Sequence, residues 1–250
     1  MSGEAAAGAA FLGLDIGTSS IKAVLIDENQ KFVAEASVSL SVSRPHPLWS
    51  EQNPADWANG VQQAAAEVRR AAPESFARLS AIGLSGQMHG AVLVDEADRP
   101  LRPAILWNDG RSFAECAELE RRLPNFRQRA GNIAMPGFTA PKLLWIARHE
   151  PDAFQATRRV LLPKDYVRLT LSGEAVSEMS DGSGTLWLDI ARRSGVRVLA
   201  RSTPHRAGPD AAHNFQRCLQ ELVAEVQAGG FARGRIAVEL RRLAESLERR

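Results

Sequence analysis

The chain has 250 residues, 44% hydrophobic and 24% charged, a balance ordinary for a soluble folded protein. Its formal net charge of +2 gives no reason to expect nucleic-acid binding, although arginine becomes frequent after about Arg192. No stretch approaches the ~20 apolar residues that span a bilayer, so membrane partners are not expected.

The opening "MSGEAAAGAA" has neither a basic start nor an apolar core, so it does not read as a secretory leader, and residues 1–10 are expected to be disordered. Phe11–Ile16, Ile21–Asp27 and Phe32–Leu40 then read as three short strands joined by tight turns, an antiparallel meander. "SRPHPLWSEQNP" carries three prolines and reads as a loop. Asn53 before Pro54 marks a helix start, with the helix running over about Pro54–Ala71.

Leu79–Leu84 and Gly90–Val94 are apolar runs on either side of "SGQMHG", and "RPAILWNDGR" is another short strand ending in a polar loop. Ser112–Leu123, Thr139–Arg148 and Lys164–Leu171 have helical periodicity. A meander followed by alternating helices and strands predicts an α/β layered domain. Past Asp189 the pattern loses its period, and "FQRCLQELVAEVQ" and "RIAVELRRLAESLERR" read as two amphipathic helices or an irregular tail. Cys116 and Cys218, the only cysteines, read as reduced thiols of a cytoplasmic protein rather than a disulfide pair.

The stretch "GLDIGTSSIKAVLID" is the first with chemical content. Gly17 lets backbone approach an anion, Thr18, Ser19 and Ser20 add hydroxyl donors, and Lys22 supplies a cation. Asp15 is placed to order a hydrated Mg²⁺ through water, since that ion keeps several waters and needs few carboxylates. A plain hairpin turn uses the same residue types, and the stretch alone does not separate the two readings.

Two further loops offer the groups a polyhydroxylated ligand needs. "LSGQMHG" presents Gln87, Met88 and His89, while "ILWNDGR" presents Asn108, Asp109 and Arg111; Met88 and Trp107 suit the apolar faces of such a ligand. The plainer alternative has His89 capping a turn and Asp109 pairing locally with Arg111.

Taken together, "GLDIGTSSIKAVLID", "SRPHPLWSEQNPADW", "LSGQMHGAVLVD", "RPAILWNDGR", "MPGFTAPKLLWIARHEP" and "LLPKDYVRLTLSGE" resemble the FGGY carbohydrate kinases over about Phe11–Ala191. The pairing of "SGQMHG" with "WNDGR" is similar to members acting on D-xylulose. The resemblance implies an actin-like, RNase-H-like lobe with a mixed sheet and flanking helices, using ATP and Mg²⁺. It implies that Asp15 handles metal and phosphate, that Gly17, Thr18, Ser19, Ser20 and Lys22 meet the nucleotide's phosphates, and that Met88 and His89 hold the sugar. Asn108, Asp109 and Arg111 fall near the sugar, and Lys142 and Trp145 look structural.

The family's base aspartate lies in a "GGGDN"-like segment, followed by an ATP-binding C-terminal lobe. Nothing after "GTLWLDIARR" resembles either. The expectation is therefore a sugar-binding lobe at residues 11–191, weakly active or inactive alone, with an unrelated arginine-rich tail at 192–250 from a truncated or frameshifted gene. Another sugar or polyol kinase of the family, and a non-catalytic ketose-binding module, remain alternatives. The sequence does not determine oligomeric state.

Overall fold

The computed structural model describes residues 8–123, 125–189 and 194–195. Cys218 and both C-terminal amphipathic stretches lie outside them, as do residues 1–7. Three strands, β1 (Ala10–Ile16), β2 (Ser20–Asp27) and β3 (Phe32–Ser39), form the expected antiparallel meander. In β1 every second residue is buried, from Ala10 through Leu12 and Leu14 to Ile16, as a strand with one covered face requires.

Helix α1 (Pro54–Ala71) covers that face. Asn53 caps it, its side chain accepting the Ala55 N–H at 3.1 Å, while Asp56 in the first turn and Arg69 and Arg70 in the last complement the helix dipole. Trp57, Val61, Ala64, Ala65 and Val68 form its buried stripe. Gly60 lies so close to β2 that a Cβ would come 2.8 Å from Cγ1 of Ile21, so the glycine sets the helix-to-sheet distance.

Past the proline-rich stretch, which contains the two-residue strand β4 (Glu51–Gln52), the chain crosses over α1 and the short α2 (Pro73–Phe76). It returns as β5 (Leu79–Gly86), parallel to β1, giving the mixed order β3-β2-β1-β5. β5 runs two residues further than its apolar composition suggests, because Ser85 and Gly86 stay paired with Asp15 and Ile16.

A second layer is built from β6 (Val92–Val94), β7 (Ala104–Ile105), α3 (Phe113–Arg122), α4 (Phe126–Ala130), α5 (Thr139–His149), α6 (Pro151–Ala156), β8 (Arg159–Leu161) and α7 (Pro163–Ser172). β7 pairs with β4 and β6 with β8, so these short strands tie loops together rather than extend the main sheet. Helix α5 is buried at every position from Thr139 to Ile146, while α7 stops at Gly173, whose φ of 68° gives a left-handed cap. α8 (Met179–Ser183), β9 (Leu188–Asp189) and β10 (Ser194–Gly195) follow. Cys116 is a buried free thiol whose burial pushes its pKa up to about 11.

Candidate functional site

The β1–β2 turn carries the first cluster. Register sets Asp15 opposite Lys22 on β2 and beside Ser85 on β5. All three lie exposed on the sheet face away from α1. The Gly17 N–H donates to the Ser20 carbonyl at 3.0 Å, closing the turn. A Cβ at Gly17 would come 2.8 Å from that carbonyl and 4.0 Å from Oδ2 of Asp15, so the tightness of the turn requires glycine. Ser19 is exposed and Ser20 half-buried.

Thr18 points the other way. Its hydroxyl donates to Oε1 of Gln87 at 3.0 Å and accepts from the Trp107 indole N–H at 3.0 Å. Nε2 of Gln87 donates to Oε1 of Gln52 at 2.9 Å and, more weakly, to the Gly17 carbonyl at 3.4 Å. Gln52 is buried and fully partnered: its Nε2 donates to the Thr18 and Ser41 carbonyls at 2.7 and 3.1 Å, and its Oε1 also accepts from the Trp57 indole at 3.1 Å. The glycine–hydroxyl turn and both polar loops therefore share one hydrogen-bond network. Gln52 went unread in the sequence, because its partners come from four separate segments and no local pattern marks it.

Past Gln87 the loop turns on His89. The Gly90 N–H donates to the Met88 carbonyl at 2.8 Å, and His89 at the centre of this three-residue turn has a φ of 64°. Such a turn is strained for a residue with a side chain. The imidazole packs edge-on against Phe138 with ring centroids 4.5 Å apart, and against Gly184, where a methyl group would overlap it. Burial, helped by the nearby Lys142 charge and opposed by the Gly184 backbone, holds the His89 pKa down at about 4, so the ring is neutral near pH 7. Met88 is exposed beside it.

The third loop divides by direction. Trp107 and Asn108 are exposed, and Asn108 borders an open groove of about 440 Å³ with Arg44, His46, Leu48 and Trp49. Asp109 and Arg111 instead face the interior. The Asp109 carboxylate accepts the Ser50 N–H at 2.6 Å and binds the Arg111 guanidinium through both oxygens at 2.9 and 2.7 Å. Arg111 also meets Glu51 at 2.8 Å, and its guanidinium lies 3.6 Å over the Trp49 ring and 5.0 Å from that of Trp145. Glu51 passes the charge on to Arg102, and Arg102 to Glu150, both at 2.6 Å. With side chains only 1% and 0% exposed, Arg111 and Asp109 build the loop and do not face its opening.

The cluster of Lys164 with Asp165 and Asp181, at 2.6 and 3.0 Å, also lay outside the sequence reading. It fastens α7 to α8, next to the Gly184 that meets His89. Among the described residues, no group of three or more His, Cys, Asp or Glu forms a metal cage. The donor chemistry of the turn is compatible with a hydrated Mg²⁺ on different grounds: Asp15 is a solvent-facing carboxylate, and an ion that keeps most of its waters needs few carboxylates. Likewise, among the described residues no helix is long and apolar enough to cross a membrane.

Residues 10–201 match the FGGY family of carbohydrate kinases, N-terminal domain, so the match runs past Ala191 into the segment expected to be unrelated. The chain is 50% identical over 192 residues to the xylulose kinase of Escherichia coli K12, covering 77% of this chain and 39% of that protein. Two solved structures are similar: a xyloylose kinase from Brucella ovis, at TM-score 0.73 and 57% identity over 74% of this chain and 39% of that one, and a xylulose kinase from Rhodospirillum rubrum, at TM-score 0.72 and 36% identity over 74% and 38%. The chain thus spans under two fifths of the length of these relatives.

Proposed function

Because the chain belongs to the FGGY carbohydrate kinases and has their actin-like ATPase fold, we propose that residues 11–191 are the sugar-binding lobe of a pentulose kinase. D-xylulose is the substrate we assign, and D-xylulose 5-phosphate the product of the complete reaction. The substrate assignment draws on the 50%-identical relative named a xylulose kinase. One observation carries the site: Thr18 of the glycine turn bonds at 3.0 Å to Gln87 of one polar loop and at 3.0 Å to Trp107 of the other. A turn suited to phosphate and two loops whose groups suit a ketose are thereby held against each other, as phosphoryl transfer by positioning demands.

In this reading Asp15 would hold Mg²⁺ through water, and Ser19, Ser20 and Lys22 would offer donors and charge to the phosphate end of ATP, while Gly17, its N–H already given to the Ser20 carbonyl, shapes the turn that presents them. Mg²⁺, when bound, neutralises charge on the phosphate oxygens. Met88, His89, Trp107 and Asn108 face the sugar, with Nε2 of neutral His89 donating or accepting according to its tautomer, since Nδ1 is buried against Gly184. Gln87, Asp109 and Arg111 act one step back, holding those side chains in place, and Thr18 serves as the strut between the two halves.

The family's base aspartate resides in a "GGGDN"-like segment, and these 250 residues contain none. General-base assistance is worth ~10²–10⁴-fold. The chain alone should therefore bind its sugar yet release little ADP. Incubation with MgATP and a panel of ketoses and polyols, followed by ADP release, tests this. Rapid turnover would refute the assigned inactivity, and preference for another sugar or polyol would move the assignment within the family. Binding with no turnover in any mixture, even with a separately supplied C-terminal lobe, would favour a ketose-binding module.

A further inference from the structure

Helix α5 presents two large side chains one turn apart, Lys142 and Trp145, and each ends under a different polar loop. Residues three apart share a helix face. Trp145 lies under the Arg111 guanidinium of the "WNDGR" loop. Lys142 is fully buried, and among the described residues its side-chain amine donates to two oxygens, the carbonyls of His89 and Gly137, both at 2.8 Å. The Thr139 hydroxyl, from the first turn of the same helix, donates to the same His89 carbonyl at 3.2 Å.

Burying an amine so completely, against two neutral carbonyls, is costly to its charged form and brings the Lys142 pKa down to about 7, and apolar packing would fill the same volume more cheaply. Its location explains it. The His89 carbonyl belongs to the strained positive-φ turn, which the Gly90-to-Met88 hydrogen bond alone would hold weakly. Gly137 packs directly on the Trp107 backbone, since a Cβ there would come 2.5 Å from the Trp107 carbonyl. One amine thus grips the backbone beneath His89 and the segment beneath Trp107, tying the two polar loops together.

We propose that Lys142 is a positioning residue for sugar recognition, fixing the left-handed turn at His89 and the seat of Trp107 from below. It touches no ligand and acts through those two residues. The proposal deepens the sugar-site reading above and rests on it for the identity of the ligand.

Lys142→Met keeps the volume and removes both hydrogen bonds, while Lys142→Arg keeps donors. D-xylulose and D-ribulose affinities of the full chain and both variants, by calorimetry, are measured beside ¹H–¹⁵N spectra that report the Gly90 amide and the Trp107 indole. Lys142→Met is expected to shift both resonances, weaken D-xylulose about tenfold or more and compress its preference over D-ribulose. Lys142→Arg should recover part of that preference. A merely structural lysine would lower the melting temperature and leave the preference and the two resonances unchanged, and that result overturns the proposal. If the unaltered chain binds no pentulose, the sugar reading fails, and the spectra still decide whether Lys142 fixes the two loops. Should Lys142→Met not fold, Thr139→Val, which removes only the second donor to His89, must still shift the Gly90 amide, and no shift overturns the proposal.

Discussion

The Thr18 hydroxyl lies 3.0 Å from Oε1 of Gln87, across 69 positions of sequence, and so joins the glycine turn to the loop that carries Met88 and His89. In the proposed function, two chemically separate tasks, holding phosphate and holding sugar, would share one set of hydrogen bonds. Thr18→Val and Gln87→Leu should each destabilise the chain, and together cost less than their sum. A coupling of about 0.5–1.5 kcal/mol is expected from urea titrations of the double-mutant cycle. Strict additivity would mean the contact carries no energy.

Arg111 is predicted to matter for stability rather than through contact with the ligand. Removing its charge by Arg111→Met leaves the Asp109 carboxylate without its buried counter-charge, while Glu51 keeps Arg102, for a loss of about 3–5 kcal/mol. Arg111→Lys should lose less, because it keeps the charge but gives up the two-pronged grip on Asp109 and the stack on Trp49. Denaturation without sugar measures both. Unaltered stability with weakened sugar binding would return Arg111 to the ligand side of the loop.

Gly184→Ala is predicted to displace the imidazole of His89, because the added methyl group occupies the ring's place. The helical φ of −73° at Gly184 suits alanine, so the effect is steric rather than conformational. D-xylulose affinity should fall about tenfold, the weight of roughly one hydrogen bond, with little loss of overall stability. Unchanged affinity would show that the position of His89 is not critical.

His89 also sets a pH dependence. Its pKa falls from 6.5 to about 4 on folding, so the unfolded chain takes up the proton first as pH drops. The stability contributed by the neutral buried ring is fully present above about pH 6.5 and is lost as pH falls toward 4. Wild type should therefore lose stability relative to His89→Asn between those values, asparagine being tolerant of the left-handed backbone. Sugar affinity should stay flat between pH 6 and pH 5, below the range in which Lys142, whose burial brings its pKa down to about 7, takes up its proton. A parallel pH dependence of the two proteins would contradict the buried neutral ring.

Much of this was legible in the sequence where the signal is local. The alternation of Leu12, Leu14 and Ile16 marked β1, and Asn53-Pro54 marked the start of α1 to the residue. Six motifs in order pointed to the family that the match over residues 10–201 shows. The direction of a loop side chain is not a local property. Asp109 and Arg111 read like ligand groups because polar loop composition is the same for residues facing in or out. What turns them inward is Ser50, Glu51, Trp49 and Trp145, all distant in sequence. Gln52 was silent for the same reason, since its four hydrogen bonds become visible only once α1, the turn and the Gln87 loop are folded together.

The central claim is that this lobe holds a pentulose at Met88, His89, Trp107 and Asn108, next to the phosphate turn. Calorimetric titration of the chain with D-xylulose, alongside His89→Asn and Trp107→Ala, tests it most directly. Saturable binding at one site is expected, weakened by each substitution while the variants remain folded. Absence of binding to D-xylulose and every other pentulose by the folded chain, or binding that neither substitution alters, would contradict it.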